Sequence, residues 1–180
     1  MRIAVLGGGN GSFAAAGDFA LAGQDTRLWR RDLDAVAAHR AAGSKITIKD
    51  FSGAREAQLA LVTTDIAEAV KGAELILCPA PATAQPDIAK ALAPHLVDGQ
   101  VVYLPPGTFG SLIFAKAMHD AGNTAQAAFA ETGTLPWLTR KHGPFDSAIT
   151  IRAKRLPTGV FPLTRKEHAL KVIGEAFPGV

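Results

Sequence analysis

A glycine-rich turn near the start of the sequence has the residue types and spacing of an anion-binding site. It reads Gly7-Gly8-Gly9-Asn10-Gly11-Ser12 and lies between a short apolar segment and an alanine-rich one. Gly7 permits a tight turn, and Gly9 lacks a Cβ, so a pyrophosphate can approach the backbone closely. Ser12 stands at the third fingerprint position, where a small residue lets a helix pack closely on a strand. The spacing predicts a dinucleotide cradle, and the residues expected to contact the cofactor are Gly7, Gly9, Asn10, Gly11 and Ser12.

Two arginines follow the second predicted strand, about 20 residues after the glycines, where NAD-binding domains usually present a carboxylate to the ribose 2′-hydroxyl. Arg30 and Arg31 would instead make charge-assisted contacts with a 2′-phosphate, each about 1.5–3 kcal/mol. Asp32 could instead indicate NAD(H), since a shift of two residues would place its carboxylate at the ribose. A role as helix N-cap explains Asp32 adequately. We therefore predict NADP(H) as the cofactor over NAD(H).

Three later loops are built from small residues and prolines, and each follows a predicted strand. Ligands in open parallel sheets bind beyond the carboxyl ends of the strands, so these loops are candidate walls of a cofactor site. Ordinary loops that only connect a strand to a helix would have a similar composition, so the sequence alone does not distinguish the two. The candidate contact residues in these loops are Pro79, Ala80, Pro81, Pro106, Gly107, Glu131 and Thr132.

The sequence offers no catalytic pair or metal site that can be assigned. Its five histidines are His39, His95, His119, His142 and His168. The first, third and fifth are expected on solvent-facing helix turns, and the second at a helix C-terminus. His142 alone lies in a segment that could approach the cleft, and a surface position is expected for it. Cys78 is expected to be a buried strand residue, and a single cysteine excludes a multi-cysteine zinc site.

The elements that must position these residues alternate along the chain. Strands are predicted at 2–6, 26–30, 45–49, 59–63, 74–78, 100–104 and 126–131, and helices at 11–23, 33–42, 66–71, 84–94 and 109–121. Strands without polar alternation are typical of a parallel sheet covered by helices on both faces. The predicted fold class is therefore α/β, a Rossmann-type doubly wound and mostly parallel sheet.

The alternation loosens after residue 134, with a strand near 147–153, a Pro/Gly loop at 157–162 and a final helix. We expect residues 1–134 to form the dinucleotide-binding core and residues 135–180 to extend the same domain. Residues 138–180 hold eight Lys and Arg against three Asp and Glu. Aromatic residues are not interleaved with these basic ones, so a nucleic-acid partner is not expected.

Composition excludes several classes of protein. The chain has 180 residues, of which 48% are hydrophobic and 19% charged, which excludes a disordered tail, a collagen-like repeat and a coiled coil. No apolar run approaches the roughly 20 residues of a membrane span, and no signal peptide is recognisable. We therefore expect a cytoplasmic protein with no membrane partner.

Taken together these residues resemble the N-terminal domain of the opine dehydrogenases, the octopine/nopaline dehydrogenase family. The segments that carry the resemblance are Ala4–Gly11, Arg27–Trp29, Val62–Ile66, Leu104–Thr108 and Glu131–Leu135. Related dehydrogenases of glycerol 3-phosphate and ketopantoate share the opening turn but fewer of the later segments. The resemblance implies an NAD(P)H-binding domain whose nicotinamide lies near residues 79–82, 106–108 and 131–132.

The resemblance also implies a reaction, the reductive condensation of an amino acid with a 2-oxo acid such as pyruvate. Members of that family are about twice this length, and their catalytic histidine and its acidic partner lie in a helical C-terminal domain. We therefore expect a cofactor-binding domain that is catalytically incomplete as this chain. Amino acid and 2-oxo acid would bind only if a catalytic domain is supplied, and a homodimer could cover apolar surface after residue 135. The alternatives are a stand-alone NADP-binding or sensor protein, and a reductase of the ketopantoate or glycerol-3-phosphate type.

Overall fold

A computed structural model describes residues 1–179, which form eleven strands and six α-helices. The strands are β1 (Arg2–Leu6), β2 (Asp25–Trp29), β3 (Lys45–Asp50), β4 (Gly53–Gln58), β5 (Leu61–Thr63), β6 (Leu75–Leu77), β7 (Val101–Leu104), β8 (Ala128–Thr132), β9 (Trp137–Arg140), β10 (Asp146–Arg152) and β11 (Thr158–Phe161). The helices are α1 (Asn10–Leu21), α2 (Leu33–Ala41), α3 (Ile66–Val70), α4 (Gln85–Leu92), α5 (Gly110–Asp120) and α6 (Lys166–Ala176). Within the described residues no helix is long and apolar enough to cross a membrane.

Seven strands form the central sheet, in the order β11-β8-β7-β6-β1-β2-β5. All neighbours in this sheet are parallel except β11, which runs antiparallel to β8. The strand order reverses at β1, whose neighbours are β2 and β6, so the ligand crevice of this topology lies above the carboxyl ends of β1 and β6. Buried apolar residues fill both faces of the sheet. The predicted Rossmann-type, doubly wound sheet is confirmed.

A second sheet of four strands, in the order β4-β3-β10-β9, covers the outer side of α1. Helix α1 is therefore enclosed between two sheets, which explains why it carries alanines and glycines instead of one polar face. Phe13 and the alanines that follow it are fully buried. A Cβ on Gly17 would collide with the side chain of Ile48 in β3, so the close approach of the second sheet requires glycine there.

Three observed strands lie where the sequence predicts connections. Strand β4 interrupts the link between the predicted strands 45–49 and 59–63, and five of its six residues are exposed, so it carries no apolar alternation. Strand β9 lies in the loosened region after residue 134. Strand β11 occupies the predicted Pro/Gly loop at 157–162, where it pairs on one side only and contains Gly159. Residues after 134 thus contribute strands to both sheets.

Four charged residues fasten the second sheet to α1. The Arg152 guanidinium donates to the Asp18 carboxylate of α1 at 2.6 Å and to Asp50 Oδ2 at 2.7 Å. Arg55 Nη2 also donates to Asp50 Oδ2, at 2.7 Å. Trp137 Nε1 donates to Asp18 Oδ2 at 2.7 Å. The Asp50 side chain is almost fully buried, so loss of Arg152 would leave a buried carboxylate with fewer partners.

Arg152→Ala is expected to lower the free energy of unfolding by roughly 1–2 kcal/mol at pH 7. The figure lies between those of buried and exposed ion pairs, because the Arg152 side chain is about one-third exposed. Urea denaturation measures it. Arg155→Ala is the matched control, since Arg155 is exposed and forms no ion pair within residues 1–179, and it should leave the midpoint unchanged.

The difference in stability between Arg152→Ala and Arg155→Ala should depend on pH. Burial alone would raise the pKa of Asp50, but hydrogen bonds from Arg152 and from the Ser52 backbone outweigh it and hold that pKa below its usual value. The stabilisation is therefore present above the unfolded aspartate pKa of about 3.9 and is lost as pH falls through the lower folded pKa. We expect the cost of Arg152→Ala to shrink below about pH 4. An equal cost at pH 7 and pH 3 would contradict the ion-pair explanation.

Candidate functional site

The glycine turn follows β1 and opens helix α1, as its spacing predicts. Gly7 has a φ of +121°, a conformation that L side chains rarely adopt, and its N–H donates to the Trp29 carbonyl at 2.9 Å. Ser12 is buried, and its Oγ donates to the Leu6 carbonyl at 3.4 Å. Gly9 is the N-cap residue of α1, and no side chain caps the helix there. The N–H groups of the first turn are thus available to an anion.

The remaining glycines of the turn have different surroundings. A Cβ built on Gly9 meets no atom within 4 Å, so this position faces open space. A Cβ on Gly11 would lie 2.8 Å from Leu135 Cδ1 and 3.1 Å from Pro79 Cβ, so Gly11 is required by packing. Asn10 points toward the second sheet, because its Oδ1 accepts from the Lys141 backbone N–H at 2.9 Å. Among the glycines of the turn, Gly9 is therefore the one at which an added methyl group would meet no protein atom.

A cavity of about 270 Å³ lies beside the turn at the crevice between β1 and β6. Seven of its lining residues are ones that the sequence predicts as cofactor contacts: Gly7, Gly9, Ser12, Arg31, Pro79, Ala80 and Pro81. Sequence reasoning missed Gly8, Trp29, Ala84 and Ile88, which also line it. Ala84 is the N-cap residue of α4 and Ile88 lies four residues further on, a spacing that places two side chains on one helix face.

The two arginines that follow β2 are placed differently. Arg31 lines the cavity, and its Nη1 lies 3.4 Å from Asp87 Oδ2 in an exposed pair. Arg30 lies across Gly8, where a Cβ would come within 2.8 Å of Arg30 Nε. Asp32 accepts from the Ala35 backbone N–H at 2.9 Å and caps α2. The capping role predicted for Asp32 is therefore confirmed.

A second cavity, of about 340 Å³, lies beyond the ends of β7 and β8. Its lining residues are Thr108, Phe109, Glu131, Thr132, Gly133, Pro157 and Gly159. Gly107 lines neither cavity, but its N–H donates to the Thr132 carbonyl at 2.9 Å, and a Cβ there would collide with Glu131. Glu131 Oε2 accepts from the Ser111 N–H at 3.1 Å, at the start of α5. The structure thus brings Gly107, Glu131 and Thr132 together, as one loop cluster.

Gln85 connects the two loops that separate these cavities, and the sequence analysis does not single it out. The side chain is buried, and its Nε2 donates to the Ala80 carbonyl at 3.4 Å and to the Pro106 carbonyl at 3.2 Å. A Cβ on Gly110 would collide with the Gln85 amide. Gln85 therefore fixes the loop after β6 relative to the loop after β7. A glutamine at the start of a helix has no sequence pattern that distinguishes this role from a surface position.

The prediction of a solvent-facing His39 is wrong. His39 is fully buried, with its Nε2 2.8 Å from the Lys45 carbonyl and its ring stacked between Phe13 and Phe145 at centroid distances of 5.6 and 4.6 Å. The second sheet, whose presence the local pattern does not reveal, covers this end of α2. Burial lowers the pKa of His39.

His142 and Cys78 lie in the surroundings predicted for them. His142 is exposed, and Cys78 is buried. Burial raises the pKa of the Cys78 thiol to about 12, so it is not a nucleophile at neutral pH. Within residues 1–179 no cluster of three His, Cys, Asp or Glu side chains could hold a metal ion.

A family model matches more than half of the chain. The model for the NAD-dependent glycerol-3-phosphate dehydrogenase N-terminus matches residues 2–108. An opine dehydrogenase of Arthrobacter sp. (strain 1C) is 32% identical over 177 residues, which are 97% of this chain and 48% of that protein. A glycerol-3-phosphate dehydrogenase [NAD(P)+] of Leuconostoc citreum is 36% identical over 96 residues, 53% of this chain and 28% of that protein.

Solved structures share the fold. Octopine dehydrogenase in complex with NADH and agmatine superimposes with a TM-score of 0.78 and 21% identity, over 94% of this chain and 46% of that one. A ketopantoate reductase from Ralstonia eutropha JMP134 has a TM-score of 0.66 and 20% identity, over 98% of this chain and 54% of that one. The chain spans about half the length of the curated opine dehydrogenase that it matches. The resemblance to the N-terminal domain of opine dehydrogenases is confirmed.

Proposed function

The chain belongs to the family of NAD-dependent glycerol-3-phosphate dehydrogenase N-terminal domains, and from that premise we propose that it is the NAD(P)H-binding domain of an opine-dehydrogenase-like oxidoreductase. The observation that carries the proposal is the cavity beside an uncapped helix N-terminus, with an open position at Gly9. Residues 1–134 form the nucleotide-binding core of this proposal, and residues 135–180 extend the same domain.

The two cavities suggest how a dinucleotide would lie. The pyrophosphate would occupy the space above Gly9, where it accepts from the first-turn N–H groups of α1. The adenosine half would lie against Trp29, Arg31 and Ile88. The nicotinamide half would point past the loop fixed by Gln85 toward Glu131 and Thr132, where the cofactor, when bound, would supply hydride.

The proposed cofactor is NADP(H), in preference to NAD(H). Arg30 and Arg31 stand where NAD-binding domains usually carry an acidic residue, and both would be attracted to a 2′-phosphate. Asp32, the carboxylate nearest to that position in the sequence, already accepts a hydrogen bond from the start of α2. It is therefore less available to a ribose hydroxyl.

The proposed reaction is the reductive condensation of an amino acid with a 2-oxo acid. The amine and the ketone would form an imine with loss of water, and addition of hydride and a proton would give a secondary amine. The similar solved structures hold octopine dehydrogenase with L-arginine and with pyruvate. We propose that both substrates are bound by a second domain, and that this chain contributes the cofactor and the wall around Glu131 and Thr132.

A glycerol-3-phosphate dehydrogenase-like activity is the second candidate, and the family match over residues 2–108 favours it. The two candidates differ in how much of the chain they explain. The glycerol-3-phosphate dehydrogenase of Leuconostoc citreum aligns with 53% of the chain, whereas the opine dehydrogenase of Arthrobacter aligns with 97%. The second sheet depends on residues 137–152, which lie outside the family match, so the opine type is preferred.

Absorbance at 340 nm tests the proposed function. The 180-residue chain is mixed with NADPH and one of three substrate sets: pyruvate with a panel of amino acids, dihydroxyacetone phosphate, or ketopantoate. We expect the chain to bind NADPH, which fluorescence detects, and to turn over none of the three substrate sets. Turnover of dihydroxyacetone phosphate or ketopantoate by the chain alone would overturn the opine assignment in favour of that reductase type. Turnover with pyruvate would show that the chain is catalytically complete.

The single cysteine, buried and without a disulfide partner among the described residues, supports a cytoplasmic location.

A homodimer is proposed on a different observation. Leu138 of β9 and Ile151 of β10 are cross-strand partners, and they are 58% and 60% exposed on the second sheet. Adjacent exposed apolar side chains of this kind favour association.

A further inference from the structure

Two cations lie on one aromatic ring beside the glycine turn. Lys141 Nζ is 3.5 Å from the centroid of the Phe13 ring, and Arg30 Cζ is 5.5 Å from the same centroid. Phe13 belongs to the first turn of α1, four residues after Gly9, and its backbone N–H donates to the Gly9 carbonyl at 3.1 Å. Both positive charges are therefore held next to the proposed pyrophosphate cradle.

Lys141 reaches this place through the second sheet. It directly follows β9, and its backbone N–H donates to Asn10 Oδ1 at 2.9 Å, across 131 residues of sequence. Its side chain is half-buried against Phe13. Arg30 is fixed from the other direction, since its Nη1 donates to the Ala35 carbonyl at 3.2 Å and its guanidinium lies over Gly8. The two cations thus follow strands of different sheets and lie near the same aromatic ring.

Neither cation is neutralised by an ion pair within residues 1–179. Asp146 is the carboxylate that faces Lys141, but it accepts from Lys49 Nζ at 3.1 Å and from the His142 N–H at 2.9 Å. Asp32 is engaged as the cap of α2. Burial, and then the charge of Arg30, lower the pKa of Lys141. Two neighbouring cations without a counter-ion favour a bound anion, which relieves their repulsion.

We propose that Lys141 and Arg30 together bind the ribose 2′-phosphate of NADP(H), so that the second sheet contributes a specificity-determining residue to the cofactor site. The inference rests on the proposed function. Arg30 carries N–H donors beyond the one used by Ala35, and the ammonium of Lys141 has three donors, while Phe13 offers it only a ring face. Gly8 has no side chain, so the Arg30 guanidinium can lie directly against the glycine turn.

Equilibrium titration of five chains with NADPH and with NADH tests the inference: wild type, Lys141→Met, Lys141→Arg, Arg30→Ala and Lys166→Ala. Lys141→Met keeps an apolar stem over Phe13 while it removes the charge. Lys166 is exposed, so Lys166→Ala removes the same charge elsewhere. We expect Lys141→Met to raise the Kd for NADPH about tenfold or more and to change the Kd for NADH less than twofold. Lys141→Arg should retain most of the NADPH affinity, and Lys166→Ala should match wild type.

Equal losses for both nucleotides, or no loss for either, would overturn the role of Lys141. The source of the phosphate is tested by competition: 2′,5′-ADP should displace NADPH at far lower concentration than inorganic phosphate. Equal displacement by the two would indicate a general anion site and would also overturn the inference. If Arg30→Ala loses NADPH selectively while Lys141→Met does not, the proposed function survives and only this inference fails. If wild type binds neither nucleotide, the proposed function fails as well.

Discussion

Replacing Gly9 with alanine is expected to raise the Kd for both NADPH and NADH roughly 100-fold and to leave the fold unchanged. The added methyl group meets no protein atom within 4 Å, and the backbone of Gly9, with a φ of −81°, suits any residue. Its one consequence is to fill the space above the uncapped first turn of α1. A pyrophosphate that binds there would lose its close approach to the backbone N–H groups, at a cost of about 2–3 kcal/mol.

The matched control is Gly174→Ala. Gly174 lies in α6, a Cβ there also meets nothing within 4 Å, and the residue lines neither cavity. Gly174→Ala should unfold no earlier than wild type, because alanine is favoured over glycine inside a helix by up to about 1 kcal/mol. Gly9→Ala should lower the free energy of unfolding by no more than about 1 kcal/mol, because alanine is a poorer N-cap residue than glycine. Gly174→Ala should bind both nucleotides as wild type does. Unchanged affinity in Gly9→Ala, with intact folding, would mean that the turn does not hold the cofactor.

Removing both arginines after β2 should also have a large effect, and it should weaken the binding of NADPH much more than that of NADH. In Arg30→Ala/Arg31→Ala we expect the Kd for NADPH to rise roughly 100-fold and the Kd for NADH to rise less than threefold. Each guanidinium contact with a 2′-phosphate is worth about 1.5–3 kcal/mol, and NADH has no such phosphate. Calorimetric titration with each nucleotide measures both values.

Arg155→Ala serves as the charge control for this double variant, because it removes one exposed guanidinium outside both cavities. It should lower NADPH affinity only slightly, and more at low salt than at high salt. The single variants separate the two arginines, since Arg31 lines the cavity whereas Arg30 lies over Gly8. Equal losses of NADPH and NADH in the double variant would be inconsistent with NADP(H) as the preferred cofactor.

The glycine turn was predictable because its physics is local. A positive φ at Gly7, a small residue at position 12 and a helix N-terminus all lie within one short segment, so spacing alone locates them. The N-cap of α2 is local in the same way, since Asp32 accepts from a residue three positions away. The wall at Pro79–Pro81 follows from topology, because it lies where the order of strands reverses.

The rest of the site depends on contacts between residues far apart in sequence. Lys141 hydrogen-bonds to Asn10 across 131 residues, and Gln85 to Pro106 across 21. No local period or spacing in the sequence predicts either hydrogen bond. The pattern of helix α2 predicts that His39 faces solvent, and His39 is buried only because the second sheet covers it. Strand β4 belongs to that sheet, and five of its six residues are exposed, so an apolar pattern could not reveal it.

Equilibrium titration of the 180-residue chain with NADPH and, separately, with NADH tests the central claim most directly. We expect saturable binding of both nucleotides at one site, with NADPH the tighter by tenfold or more, which corresponds to about 1.4 kcal/mol or more. Intrinsic fluorescence can follow it, since Trp29 lines the cavity. If neither nucleotide binds at millimolar concentration, the claim that this cavity holds a dinucleotide is wrong.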